Sequence, residues 1–292
     1  MNPSAAKRIL TYLLLGLAAT AFMLPLFWMV SISLKPTPEV FQPDPLPAHP
    51  TLDAYRAIIG VSVGQDTSAT GDRAVESGTF NYVLYARNTL IITVLSLIGM
   101  LLSSSIAAYG FARLNFPGRN LMFAICLATM MIPFPVIMVP IYMIFKYLGW
   151  IGTFRPLWAP AWFGSAFNIF LLRQFFLGLP RELEESAMLD GCSRWGCFWR
   201  IMLPLSKPAL AVVALFHCLA VWNDLIGPLI YLSHQDQFTL ALGLQFLQSR
   251  SGDTPWNQLL AASTLIVLPV SIFAFFVRKS IVQGLTMGAL KD

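Results

Sequence analysis

The sequence predicts an all-α integral membrane protein with six transmembrane helices, a cytoplasmic two-helix loop between the fourth and fifth, and both termini inside. Three observations predict this class. The chain of 292 residues is 57% hydrophobic and 11% charged, its mean hydropathy is +0.67, and its apolar residues gather in long runs. Soluble domains are less apolar than this. A run of roughly 20 apolar residues crosses about 30 Å of hydrocarbon.

Six apolar runs are long enough to span a bilayer. The first follows Lys7 and Arg8, as the apolar part of a secretory signal does. It is much longer than the roughly 7–15 apolar residues of a signal peptide, so we expect it to remain as the first helix. The predicted spans are residues 9–33, 83–111, 119–145, 157–178, 206–232 and 257–279.

Positive charges set the orientation, because Lys and Arg concentrate in cytoplasmic loops. With the N-terminus inside, 12 of the 19 Lys and Arg residues fall on the inner side. The net charge of +5 then reflects topology and contact with anionic membrane lipid. It does not indicate nucleic-acid binding, since no basic stripe with interleaved aromatics occurs. The inner residues are Lys7, Arg8, Arg113, Arg119, Arg173, Arg181, Arg194, Arg200, Lys207, Arg278, Lys279 and Lys291.

Two spans carry local signals. The third contains Pro133, Pro135 and Pro140, each of which removes a backbone donor, so we expect this helix to kink or unwind. The inner half of the second contains Ser103-Ser-Ser-Ile-Ala-Ala-Tyr-Gly110. Such small residues allow close helix contacts in a bilayer.

The polar stretch between the fourth and fifth spans predicts two short helices. Good helix formers fill residues 181–189, and Gly191 is able to adopt a positive φ and end the first helix. A second amphipathic helix fits residues 193–202. Two such helices meeting at a glycine form a knob suited to a groove on another protein. The apolar residues expected on one side of the second helix are Trp195, Phe198, Trp199 and Met202.

This stretch resembles the EAA loop of the membrane subunits of bacterial ABC importers. Glu185-Ser-Ala-Met-Leu-Asp-Gly191 is followed, after nine residues, by Ile201-Met-Leu-Pro204. The family pattern is Glu-Ala-Ala, three residues, Gly, nine residues, Ile, one residue, Leu-Pro. Every spacing agrees, and Ser186 replaces the first Ala. The alternative, from the residues alone, is an ordinary charged loop between two spans.

The resemblance implies that the loop seats in a cleft of an ATPase subunit and transmits its closure to the membrane helices. Glu184 and Glu185 are then expected to pair with basic residues of the ATPase, and Gly191 to keep the shape of the loop. The residues that the resemblance assigns to this coupling are Glu184, Glu185, Ala187, Asp190, Gly191, Ile201, Leu203 and Pro204.

Other segments resemble the sugar-importer branch of this family, above all Gly284-Leu-Thr-Met-Gly-Ala289 near the C-terminus. The implied organisation is a first helix with an extracytoplasmic loop over 1–82 and a type-I transmembrane domain over 83–292, with the coupling loop at 181–203. Residues 60–79 read as a flexible outer loop longer than the family usually carries. Both a tolerated insertion and a contact for an outer partner fit that loop.

The resemblance implies a permease subunit in the bacterial cytoplasmic (inner) membrane, part of an ATP-driven importer for a sugar or sugar-like solute. The maltose and glycerol-3-phosphate systems are similar. The implied partners are two ATP-binding cassette ATPase subunits, a homologous second permease subunit and an extracytoplasmic solute-binding protein. No cofactor or metal is implied.

Three polar residues inside spans are candidates for the substrate path. Asn168 lies near the middle of the fourth span, and Asn223 and Asp224 lie in the outer half of the fifth. Amides and carboxylates suit sugar hydroxyls. A bridge to a neighbouring helix is the alternative for Asn168, and a structural partner such as an amide or Arg87 is the alternative for Asp224.

Absent motifs exclude several classes. The chain has no Gly-x4-Gly-Lys-Ser/Thr phosphate loop, so ATP hydrolysis is expected on separate subunits. Its cysteines and histidines show no metal spacing. Gly164-Ser165 with His217 lacks the second glycine and the oxyanion donors of a serine protease. An ion-coupled secondary carrier acting without an ATPase is the alternative function, although such carriers usually show paired halves, and none is visible.

Overall fold

The computed structural model describes residues 3–60, 80–249 and 255–289, and every regular element within them is a helix. The predicted loop at 60–79 therefore lies, apart from Gly60, outside the described residues. The helices are α1 (Pro3–Ser33), α2 (Asp53–Ile59), α3 (Tyr82–Arg113), α4 (Arg119–Ala128), α5 (Phe134–Tyr147), α6 (Arg155–Trp158), α7 (Ala166–Gly178), α8 (Glu182–Leu189), α9 (Arg194–Cys197), α10 (Leu203–Leu205), α11 (Lys207–Trp222), α12 (Ile226–Tyr231), α13 (Leu240–Gln248) and α14 (Trp256–Ala289).

Within these residues, three continuous helices are long and apolar enough to cross a bilayer, namely Lys7–Ser33, Tyr82–Arg113 and Trp256–Arg278. They coincide with the first, second and sixth predicted spans. Two bent helix pairs raise the number to as many as five if each pair is one span. An all-helical membrane protein is therefore confirmed in class, with fewer continuous spans than the sequence predicts.

The third predicted span breaks where its prolines lie. The segments Arg119–Met131 and Phe134–Tyr147 form an angle of 99°. Ile132 and Pro133 at the break are extended, with ψ values of 113° and 139°. Pro133 has no N–H to continue the helix, and it disfavours helical geometry at the residue before it. The prediction that this span kinks or unwinds is confirmed.

Two other predicted spans are not continuous helices. Within 157–178, α6 passes into a 3₁₀ segment (Ala159–Phe163), and α7 begins only after Gly164, whose φ is 88°. Within 206–232, α11 ends at Trp222 and α12 begins at Ile226. The prediction of one continuous helix is wrong for both spans. Apolar composition predicts that a segment lies in the bilayer, but it does not predict where its backbone leaves helical geometry.

The chain divides into two compact units. The first contains Met1–Leu84 and Gly243–Pro269, and in it the segment after α1 folds around a buried lysine. Lys35 is 2% exposed, and its Nζ donates to the backbone oxygens of Gln42 (3.1 Å) and Asp44 (2.7 Å). The Ser31 hydroxyl donates to the backbone oxygen of Pro45. Side chains from α1 and its C-terminal end thus hold this proline-rich segment through its main chain.

The second unit contains Tyr85–Leu242 and Val270–Asp292. Its buried core joins α3, α7, α11 and the segment between α9 and α10. Within it, small residues of α3 approach the 159–165 segment closely: Ser103 Oγ donates to Ala161 O (3.2 Å), and Ser104 Oγ accepts from Ser165 N (3.2 Å). The main apolar members of the core are Met100, Ala108, Tyr109, Ala112, Ile169, Leu172, Phe176, Phe198, Met202 and Val213.

Candidate functional site: the 181–203 loop and the ends of its neighbours

The first helix of the 181–203 loop, α8, ends in a hydrogen-bonded glycine cap. Gly191 has φ of 85° and donates to Met188 O (3.1 Å), while Cys192 N donates to Ala187 O (2.9 Å). These two bonds are the pair that defines a Schellman motif, in which a left-handed residue satisfies the last carbonyls of a helix. The predicted positive φ of Gly191 is confirmed.

The second helix begins two residues later at a serine cap. Ser193 has φ of −69° and ψ of 159°, and its Oγ accepts from Gly196 N at 3.1 Å. The helix continues through a π-helical turn, Phe198–Met202, into α10. Pro204 follows that turn and has no N–H to close an α-helical bond, which is consistent with the wider turn before it.

Replacing Ser193 by alanine is expected to expose the amide of Gly196 without changing the fold. Loss of an N-cap hydroxyl weakens a helix by about 1 kcal/mol, so local opening should become about fivefold more frequent. Hydrogen exchange at the Gly196 amide measures this change. Ser193→Thr keeps the acceptor and serves as the control. Equal exchange in the alanine and threonine variants would contradict the cap.

The aromatic residues of the second helix divide between two environments. Phe198 and Met202 are fully buried in the core, whereas Trp195 and Trp199 are 54% and 43% exposed. The sequence predicts all four on one side of this helix, and the structure buries two of them and leaves two exposed. The π-helical turn changes the angular spacing of the residues that follow it, which a 3.6-residue period does not anticipate. Trp195 stacks on Phe198 with their ring centroids 5.6 Å apart.

The two neighbouring glutamates of α8 point to different places. Glu184 is buried, and its carboxylate accepts from the Tyr109 hydroxyl (2.9 Å). The same carboxylate lies 3.2 Å from Arg113 Nε. Glu185 is exposed. The expected pairing of Glu184 with an ATPase residue does not fit this geometry, because its carboxylate is already satisfied inside the chain, whereas Glu185 remains available.

Tyr109 and Arg113 are thus site residues that the sequence analysis missed. They lie four residues apart on α3, which puts them on one helix face. The sequence contained a signal for them: a tyrosine and an arginine at that spacing lie at the end of an apolar span, on the side of the membrane where the carboxylate-rich loop is also predicted.

The remaining surface of the loop combines apolar and acidic side chains. Leu189 is 89% exposed, and Leu183 and Met188 are exposed at about half that level. The other residues assigned to coupling divide by accessibility: Asp190 and Pro204 are exposed, and Ala187, Ile201 and Leu203 are half-buried.

The two cysteines of the loop lie close to each other. Cys197 is buried and Cys192 is half-buried. Burial raises the pKa of the Cys197 thiol, and a hydrogen bond with Cys192 adds to this effect. A raised pKa keeps the thiol protonated near neutral pH, so Cys197 acts as a small apolar residue in the core.

The three candidates for the substrate path are not gathered into one pocket. Asn168 is buried in α7. Asn223 is exposed, and its amide donates to Leu219 O (2.8 Å). Asp224 Oδ1 accepts from Gly227 N (3.1 Å) in the first turn of α12. A cavity of about 30 Å³ beside Asp224 is also lined by Thr89 and Thr239.

The serine and histidine considered for hydrolysis have separate structural roles. The His217 ring shares a hydrogen bond with Ser96 Oγ (2.9 Å). The backbone oxygen of Ser165 accepts from Ile169 N (2.8 Å) in the first turn of α7. The first bond joins α3 to α11, and the second belongs to the start of α7.

Comparison with known proteins assigns the chain to a family. The model for "binding-protein-dependent transport system inner membrane component" matches residues 97–287. The arabinooligosaccharides transport system permease protein AraQ of Halalkalibacterium halodurans is 33% identical over 97% of each chain. The trehalose/maltose transport system permease protein MalG of Thermococcus litoralis is 31% identical over 100% of this chain and 99% of that protein.

A solved structure has the same fold. A chain of a bacterial ABC transporter involved in the import of the acidic polysaccharide alginate superposes with a TM-score of 0.79 at 21% identity, covering 96% of this chain and 98% of that one. The family model covers most of the chain, including the whole 181–203 loop, and the relatives align over nearly its full length. The chain belongs to the family of inner membrane components of binding-protein-dependent transport systems.

Proposed function

We propose that this chain is one of the two membrane-spanning permease subunits of an ATP-driven importer for a sugar or sugar-like solute. Family membership supports transport, and the permeases AraQ and MalG, whose names refer to oligosaccharide and disaccharide transport, support the solute class. The proposed partners are two ATPase subunits, a second permease subunit and an extracytoplasmic solute-binding protein.

The proposed topology keeps six crossings with both termini in the cytoplasm. Three continuous helices and the bent pair Arg119–Met131 with Phe134–Tyr147 supply four crossings. The segment from α6 to α7 and the segment from α11 to α12 are the proposed other two. The inner-side excess of Lys and Arg supports the orientation. We propose residues 1–82 as the first helix with its outer loop and 83–292 as the transmembrane domain, with the 181–203 loop facing the cytoplasm.

The observation that carries the proposal is the surface of the 181–203 loop. Exposed leucines and tryptophans and the exposed carboxylate of Glu185 belong to a loop whose Phe198 and Met202 are anchored in the core. Exposed apolar residues with a charged rim are typical of a protein-binding surface. We propose that this surface seats in the ATPase, with Glu185, Asp190 and Gly191 carrying out the roles implied by the EAA pattern.

The path for the solute is proposed to require the second permease subunit. The cavity at Asp224 holds about 30 Å³, which is the space of one water molecule. Small-molecule sites occupy roughly 300–1,000 Å³. Asn168, Asn223 and Asp224 therefore remain proposed path residues only in the assembled complex, where a second chain completes the lining.

The test is purification followed by reconstitution in liposomes. A tagged chain, expressed with its neighbouring genes, is expected to bring down an ATPase and a second permease. With the binding protein added, ATP should drive uptake of one of three labelled probes: an arabino-oligosaccharide, maltose or trehalose. An ion-coupled carrier would instead purify alone and would respond to an ion gradient, and that outcome would overturn the proposal.

Glu185→Lys is expected to uncouple this system. Reversing a charge that meets a basic partner replaces attraction by repulsion, so we expect uptake per ATP hydrolysed to fall by about tenfold. Glu182→Lys, on the exposed first turn of the same helix, is the matched control and should leave the ratio unchanged. If both variants transported normally, Glu185 would have no role in coupling.

A further inference from the structure

One buried polar cluster connects the 181–203 loop to two other helices. It consists of Tyr109 and Arg113 on α3 and Glu184 on α8. The side chains of Arg113 and Glu184 are 4% and 9% exposed, and Tyr109 is 4% exposed. Buried charges are costly unless paired. Separating Arg113 from Glu184 would leave each charge buried without its partner, so their burial favours the pair.

Arg113 binds both ends of the connection between α7 and α8. One terminal nitrogen donates to the backbone oxygens of Phe176 and Leu179, both at 2.7 Å. Its Nε lies 3.2 Å from Glu184 Oε2 as an ion pair, although the N–H direction does not make an aligned hydrogen bond. The side chain of Arg113 therefore contacts the C-terminal end of α7 and the first turn of α8 at once.

Tyr109 connects the two helices of the loop. Its hydroxyl donates to Glu184 Oε1 (2.9 Å) and, more weakly, to the backbone oxygen of Arg194 (3.3 Å) in α9. Its ring packs on Phe198, with the two centroids 5.1 Å apart, and edge-on against Phe176 at 6.3 Å. One side chain of α3 thus reaches α7, α8 and α9.

We propose that Tyr109, Arg113 and Glu184 are positioning residues that make the 181–203 loop move as one body with α3 and the end of α7. The inference rests on the proposed function, in which an ATPase displaces the loop. The exposed face of the loop receives the displacement, and the buried cluster passes it to α3, because charge-assisted bonds in a dry interior resist sliding more than apolar contacts do.

The test measures one distance within the complete, ATPase-bound complex. Spin labels are placed on α8 at Leu189→Cys and on α3 at Leu90→Cys, which are 89% and 55% exposed, after the native cysteines have been replaced. The distance is recorded without nucleotide and with ATP and vanadate. In the otherwise unchanged complex we expect the same distance in both states. With Glu184→Gln we expect a shift of more than about 2 Å between them.

Tyr109→Phe is the second variant, since it removes only a hydroxyl and is expected to show the same nucleotide-dependent shift. It decides the matter if Glu184→Gln does not assemble. Glu182→Gln is the matched control on the same helix and should behave as the unchanged chain does. A merely structural role would lower stability but would not make this distance depend on nucleotide.

Constant distances in both variants, or a distance that already changes in the unchanged complex, would overturn the proposal while leaving the importer intact. If no ATPase purified with the chain, the proposed function would fail, and the role proposed for the buried cluster would fail with it. Co-purification of the ATPase with the unchanged chain, checked in the same preparation, separates these cases.

Discussion

Gly191→Val is expected to detach the two helices of the 181–203 loop from each other. Gly191 has a φ of 85°, and a Cβ added at this residue would meet nothing within 4 Å. The effect therefore comes from the backbone alone. A β-branched residue in the left-handed region is strained by about 1–3 kcal/mol, which corresponds to a shift of about 5–150-fold in the population of the native loop.

The measurement is the amount of ATPase that co-purifies with the tagged chain, together with uptake in liposomes. Both should fall with Gly191→Val. Gly191→Asn is the matched control, since asparagine tolerates the left-handed region, and it should retain most of the activity. If valine and asparagine behaved alike, the Schellman cap would not be what shapes the loop.

Gly99→Ala is expected to lower the stability of the membrane-embedded part of the chain. A Cβ at Gly99 would lie 2.2 Å from Trp162 Cδ1, so the indole would have to move. That movement would break the bond from Trp162 Nε1 to Leu95 O, now 3.1 Å. Overpacking costs about 1–3 kcal/mol and the hydrogen bond about 1 kcal/mol more.

A fall of about 5 °C in the Tm of the detergent-purified complex is the expected result. Gly110→Ala is the control in the same helix, because a Cβ at Gly110 would meet nothing within 4 Å. It should leave the Tm unchanged or raise it slightly, since alanine favours helix. Equal Tm values for the two variants would show that Trp162 does not depend on Gly99.

The sequence predicts the parts of this fold that depend on local chemistry. Apolar runs locate three long helices, Pro133 locates the 99° break, and Gly191 locates the turn of the loop. The breaks at Gly164 and at Asn223 were missed. Glycine and asparagine also occur inside continuous helices, so only the partners around them decide whether the helix stops.

The candidate site was predictable as a motif but not in its internal contacts. Spacing identified the EAA-like loop, yet it did not distinguish Glu184 from Glu185, which differ by one position. The difference depends on α3, which lies some 75 residues earlier in the chain, as the Tyr109 to Glu184 bond shows. Contacts of that sequence separation are set by packing, which no local periodicity encodes.

The bonds made by Lys35 bear on which side chains can be substituted in the segment after the first helix. The side chains of Lys35 and Ser31 donate to main-chain oxygens, those of Gln42, Asp44 and Pro45. Every residue has a peptide oxygen whatever its side chain. Substitutions at the positions that accept these bonds therefore leave the acceptors in place. Lys35 itself is not replaceable in this way, because an alkyl side chain there would remove the donor that both carbonyls of Gln42 and Asp44 share.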